Sequence, residues 1–230
     1  RPFGMAHPEL ARHVPVAASF KAEAATQYWL GDALLVAPIM DESDRRKVVL
    51  PAVHLRSWWT QKMVSAATLA GPATPTVVEP KLPLSQIPLY VREGAIIPLL
   101  RPSIDTLAPA TDKGVDSFAN DAGRLHALYV PGPKEQRDVY DGTKLGAAAA
   151  GKAINLAVTP GEEFTKGVEW EIWSAIKVKA VALGKTPADK TTASKAGTCV
   201  GCWWRDGGTI HIRMPPGTQT GVVLFDKSVQ

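Results

Sequence analysis

Nineteen prolines and nineteen glycines are spread along the whole of this 230-residue chain. That is about one backbone breaker for every six residues, too dense for long helices and well suited to short elements joined by tight turns. The spacing therefore predicts a mainly β protein.

The apolar pattern agrees. Ala33–Ile39 is a continuous apolar run, fit for a strand covered on both faces. Shorter strand signals follow at Lys47–Leu50, Leu55–Thr60 and Thr76–Glu79. Leu89–Arg92 and Ala95–Leu99, separated by Glu93-Gly94, read as two strands across a tight turn. In the second half, Val168–Ile172, Ile176–Ala180 and Thr209–Met214 alternate apolar and polar residues with period two, the mark of strands with one wet face. Glutamates of the first and lysines of the second would pair if those strands were neighbours. Leu125–Val130, Ile154–Thr159 and Val222–Phe225 complete about seven strands, enough for a sandwich. Residues 102–123 lack periodicity and read as a linker. The only helical composition is Glu9–Leu30; Pro15 argues against one continuous helix, so a short helix is expected from about Ser19, stopped by Gly31.

Composition excludes several classes. Hydrophobic residues make up 45% and charged residues 21%, too apolar for disorder. The net charge of +4 is scattered, and the densest basic run, Arg45–Lys47, follows Asp41, Glu42 and Asp44. No basic face is expected for nucleic acid. No apolar run reaches the ~18 residues of a membrane span, so no membrane partner is expected. An opening on Arg1 rather than Met suggests a processed or partial polypeptide.

Chemistry-bearing residues are sparse. Hydrolysis of a glycosidic bond needs two carboxyl groups held across the scissile bond. Glu169 and Glu171 stand ~6.6 Å apart along a strand, but their face reads as an ordinary wet surface; Asp138 with Asp141 and Glu162 with Glu163 fit no better. The five histidines lie far apart, without metal-ligand spacing. No nucleophile elbow or nucleotide-binding glycine motif occurs, and no cofactor is expected. Cys199-Val-Gly-Cys202 is compact enough to be a thiol pair, a local disulfide or, less fittingly, a redox dithiol or half of a zinc site, which would want two more ligands and has no second cysteine pair. The seven tryptophans, Trp58-Trp59 and Trp203-Trp204 among them, could stack on sugars, though packing is the commoner use of adjacent rings on a strand.

Two stretches, Gln27–Ile39 and Ile87–Leu99, resemble the region of glycoside hydrolase family 31, the α-glucosidases and α-xylosidases, where the catalytic barrel passes into its C-terminal sandwiches. Arg1-Pro2-Phe3 resembles the family's segment at the eighth barrel strand, and Tyr28–Gly31 the short helix leading out of the barrel. Val48–Pro51, Trp58-Trp59-Thr60 and Leu84–Leu99 are similar to later elements of the proximal sandwich, in the same order. Val139-Tyr-Asp-Gly-Thr143 sits where members carry a more acidic turn.

The resemblance implies two antiparallel β-sandwiches in tandem, preceded by the last strand and helix of a (β/α)8 barrel. The expected divisions are a barrel end over 1–31, a proximal sandwich over 32–101, a linker over 102–123 and a distal sandwich over 124–230. It also implies a retaining α-glycosidase whose two aspartates lie on earlier barrel strands, so no catalytic residue is expected in this chain. Phe3 and His7 are the residues expected nearest a substrate pocket. The expected role is to brace a barrel on another segment or subunit, with oligo- or polysaccharide substrate met only indirectly. A carbohydrate-binding or assembly module without activity is the alternative.

Overall fold

The computed structural model describes residues 1–6, 25–65 and 76–229. The chain is mainly β, with one α-helical turn, α1 (Phe3–Ala6), among the described residues. It divides into two compact units, Arg1–Glu93 and Gly94–Gln230.

The first unit holds β1 (Tyr28–Leu30), β2 (Leu34–Val36), β3 (Val48–Leu50), β4 (Leu55–Ser57), β5 (Met63–Ser65), β6 (Thr76–Val78) and β7 (Leu89–Arg92). Five of them form an antiparallel sheet in the order β1-β2-β7-β4-β5, and β3 pairs with β6. Leu35, Val49, Leu50, Leu55 and Tyr90 share one core. Gln27 is buried with them. Its Nε2 donates to Val49 O at 2.7 Å and its Oε1 accepts from Val49 N at 3.1 Å. This side chain thus satisfies both backbone groups of a β3 residue that would otherwise be buried and unpaired.

Three expectations change here. The helix expected to lead out through Tyr28–Gly31 is a strand over Tyr28–Leu30. It turns at Gly31 (φ +66°) to pair with β2. Of the rest of the expected helix, Ala25 is helical and Thr26 lies in a turn, while residues 19–24 lie outside the described residues. The Arg1-Pro2-Phe3 segment is no strand: Pro2 makes a single bridge to Tyr28 and the chain then enters α1. The expected strand over Leu55–Thr60 ends at Ser57, because Trp58–Thr60 form the turn into β5, with Gln61 at φ 57°.

The second unit contains β8 (Ile96–Leu99), β9 (Leu125–Tyr129), β10 (Glu135–Asp138), β11 (Lys144–Ala150), β12 (Ala153–Thr159), β13 (Val168–Trp173), β14 (Val178–Leu183), β15 (Thr186–Pro187), β16 (Asp189–Lys190), β17 (Cys202–Asp206), β18 (Thr209–Met214) and β19 (Thr220–Phe225). They make two six-stranded sheets, β10-β11-β12-β19-β14-β15 and β16-β17-β18-β13-β9-β8. Leu145, Ile154 and Phe225 of the first and Trp170, Ile172 and Ile212 of the second meet in a single core. Most pairings are antiparallel, but β9–β13 and β16–β17 run parallel.

β7 and β8 do not form the hairpin that Glu93-Gly94 predicts. Gly94 does adopt the positive φ of a turn, yet β7 pairs with β2 and β4 while β8 pairs with β9. Nor are β13 and β14 neighbours; they lie in different sheets, so the expected glutamate–lysine ladder is absent. Residues 102–123 belong to the second unit and are pinned by Arg101. Its Nε donates to Asp116 Oδ2 at 3.0 Å, and one of its terminal nitrogens donates to the carbonyls of Asp121 and Ala122 at 2.7 and 2.9 Å.

Candidate functional site

The densest polar constellation lies on β13 and its neighbours. The period-two alternation of β13 sends Val168, Trp170 and Ile172 to the core, leaving Glu169 and Glu171 on the opposite face. Register places His126 of β9 and Arg213 of β18 beside Glu169, and His211 of β18 beside Glu171. Arg213 donates to Glu169 Oε2 from Nε at 3.0 Å and from a terminal nitrogen at 2.7 Å. His211 Nδ1 stands 3.5 Å from Glu169 Oε1, an ion-pair distance rather than a well-formed hydrogen bond. His126 Nδ1 lies 3.1 Å from Glu171 Oε1. Trp204 of β17 stacks flat on His211, with centroids 4.8 Å apart and 4° between the planes, and Arg213 sits 5.2 Å from the Trp204 ring.

This face is not the wet surface that alternation predicts. Glu169 is 4% exposed and His126 8%. Burial pushes the Glu169 carboxyl up; the nearby His211 ring and the hydrogen bonds from Arg213, with the charges of His126 and Arg213, outweigh it and bring the group down to about 2. A carboxylate held ionised by a guanidinium cannot deliver a proton near neutral pH, and it is turned into the sheet rather than toward a cleft. The arrangement is an ion network, not a glycosidase carboxyl pair.

The other carboxylates are also engaged or isolated. Asp141 accepts from Thr143 N at 3.0 Å, Thr143 Oγ1 at 2.9 Å and Glu163 N at 3.2 Å, and so closes the Tyr140–Thr143 turn. Burial would raise its carboxyl, but these hydrogen bonds hold it below the ordinary value. Asp138, Glu162 and Glu163 are exposed. His54 pairs with Glu93 at 2.9 Å. Among the described residues no three His, Cys, Asp or Glu side chains converge as metal ligands, and no helix is long and apolar enough to cross a membrane.

Of the residues expected near a pocket, Phe3 belongs to α1 and His7 lies outside the described residues. Cys199 and Cys202 are joined as a disulfide, with Cα atoms 6.0 Å apart. Trp29, Trp170, Trp173, Trp203 and Trp204 are buried, which leaves Trp59, 40% exposed, as the tryptophan presenting most surface. Its Nε1 donates to Ile87 O at 2.7 Å. The outer face of β10, β11, β12 and β19 carries an open trough of ≈ 530 Å³, floored by Gly146, Ala148 and Ala157 and edged by Gln136, Lys144 and Asn155. Sequence reasoning missed two features, the buried Gln27 clamp and the Glu169–Arg213 pair. A glutamine directly ahead of an apolar strand and an arginine two residues from a histidine on an alternating strand were the available signals.

Residues 1–97 match the profile of the glycosyl hydrolase family 31 C-terminal domain. An α-glucosidase of Aspergillus niger is 34% identical over 82 residues, 35% of this chain and 8% of the relative. Among solved structures, the cycloalternan-forming enzyme of Listeria monocytogenes superposes with a TM-score of 0.71 at 18% identity, over 98% of this chain and 20% of its own. The family 31 dextranase of Flavobacterium johnsoniae gives 0.68 at 17% identity, over 97% of this chain and 28% of its own. At these identities the solved structures establish the fold alone. The chain spans under a tenth of the α-glucosidase and a fifth to somewhat over a quarter of the two solved enzymes. Over residues 1–97, then, the chain is similar to the C-terminal domain of glycosyl hydrolase family 31.

Proposed function

We propose that the chain is the C-terminal, non-catalytic part of a family 31-like α-glycosidase, and that it braces a catalytic barrel carried on another segment or subunit. In this reading residues 1–31 belong to the end of the barrel. Two sandwiches follow in tandem, a proximal one from residue 32 and a distal one that, with β8 paired to β9, takes in residues 94–230. Retaining hydrolysis of α-glycosidic bonds would take place on aspartates of the barrel, and the substrate would meet this chain only indirectly. The observation that carries the reading is the match of residues 1–97 to a family 31 C-terminal domain. The engagement of Glu169 and Glu171 in ion pairs supports it, since it removes the one same-strand carboxylate pair the sequence offered.

Co-expression with the polypeptide encoded directly upstream tests the reading. A folded complex that co-purifies is expected, with the chain less stable when produced alone. A chain that folds equally well alone and ignores that polypeptide would overturn it.

A second reading, a carbohydrate-binding module, is favoured by the exposed Trp59 indole and the open trough on the outer sheet face. Calorimetry with maltoheptaose and dextran separates the two. Binding that is lost in Trp59→Ala or Asn155→Ala supports the module; heats indistinguishable from dilution support the brace.

A further inference from the structure

We infer that Cys199–Cys202 is a reversible thiol–disulfide site, opened by a dithiol reductant while the fold persists. The bond closes a loop of sequence separation 3 and joins the start of β17 to the turn just before it. It links neither the two sheets of the sandwich nor two distant segments. Loop-closure entropy is smallest for the shortest loop, so this crosslink adds little as a staple. Its surroundings suit exchange instead. Val200, at the apex of the loop, is 74% exposed, and Cys199 is half-buried, whereas Cys202 is 1% exposed.

That asymmetry assigns the two sulfurs different parts. An incoming thiolate attacks Cys199 Sγ, the S–S bond breaks, and Cys202 leaves as a thiolate. Arg213, already paired with Glu169, lies across from Cys202 on β18 and shares its sheet face, so the thiolate forms beside a guanidinium–carboxylate pair. The second thiol of the reductant then attacks its own sulfur in the mixed disulfide and releases Cys199, which takes a proton from water; Cys202 is protonated likewise. The protein disulfide gains two electrons and two protons, and the dithiol becomes a disulfide. The 3-10 turn Ala193–Thr198 precedes this loop and packs on β17. Opening the bond frees that turn from β17, close to the stacked Trp204 and His211.

The test is thiol titration of the native chain before and after millimolar dithiothreitol, with far-UV circular dichroism as a control for folding. The expected result is no titratable thiol before and two after, with an unchanged spectrum and closure again on exposure to oxidised glutathione. In single variants, Cys199 of Cys202→Ser should react with an aromatic disulfide reagent at least about ten-fold faster than Cys202 of Cys199→Ser. A bond that resists dithiothreitol until the chain unfolds, or equal reactivity of the two cysteines, would overturn the inference. The double serine variant shows whether the fold survives without the bond; if it unfolds, the site is a structural staple and the inference fails.

Discussion

Arg213 meets Glu169 through two hydrogen bonds, at 3.0 and 2.7 Å, on a sheet face where both side chains are nearly excluded from water. Removing one partner of such a pair leaves an uncompensated buried charge. Glu169→Gln should therefore cost about 3–5 kcal/mol, more than an exposed ion pair of the same geometry. Urea unfolding at neutral pH measures it; a loss within experimental error would show that the pair is not a stabilising element.

The same pair sets an acid dependence. The folded carboxyl lies at about 2, below the ordinary 4.5. A depressed carboxylate contributes stability that is complete above its unfolded value and is lost as pH falls through the folded one. On the order of 3 kcal/mol should thus disappear between roughly pH 5 and pH 2. Denaturation across that window should show the loss in the native sequence and a flatter profile in Glu169→Gln.

Gln27 provides a second test, independent of charge. Truncation in Gln27→Ala strands the N–H and C=O of Val49, each worth about 1–3 kcal/mol when buried and unpaired. Thermal unfolding should fall accordingly. Gln27→Asn, one methylene shorter, should not restore it, because the clamp needs both amide atoms at 2.7 and 3.1 Å.

Trp170 distinguishes bulk from hydrogen bonding. The ring is fully buried in the sandwich core, yet among the described residues Nε1 has no hydrogen-bond acceptor. Trp170→Ala should cost about 3–5 kcal/mol through cavity formation. Trp170→Phe should cost much less, since it deletes an unsatisfied donor along with part of the ring. Equal losses for the two would contradict this account of the core.

The strands that carry a one-faced hydrophobic pattern were readable: β13 and β18 fall where period-two alternation places them, and the strand read over Ile176–Ala180 begins at Val178. Alternation says which residues share a face but not what lies above it, and so Glu169 reads as wet and is buried. The Lys144–Ala150 strand hides in a run of alanines whose propensity favours helix; only pairing with β10 and β12 makes it a strand. Glu93-Gly94 has the chemistry of a turn, yet turn chemistry fixes a local bend and cannot choose the partner of the strand that follows. Tyr28–Leu30 lies next to helix-favouring residues, and pairing with β2 overrides their propensity.

The central claim is that this chain supports catalysis without performing it. The direct measurement is hydrolysis of 4-nitrophenyl α-D-glucoside and of maltose by the purified chain. The account predicts no turnover above the uncatalysed background, and turnover only when a barrel polypeptide is added. Sustained hydrolysis by the chain alone would contradict it.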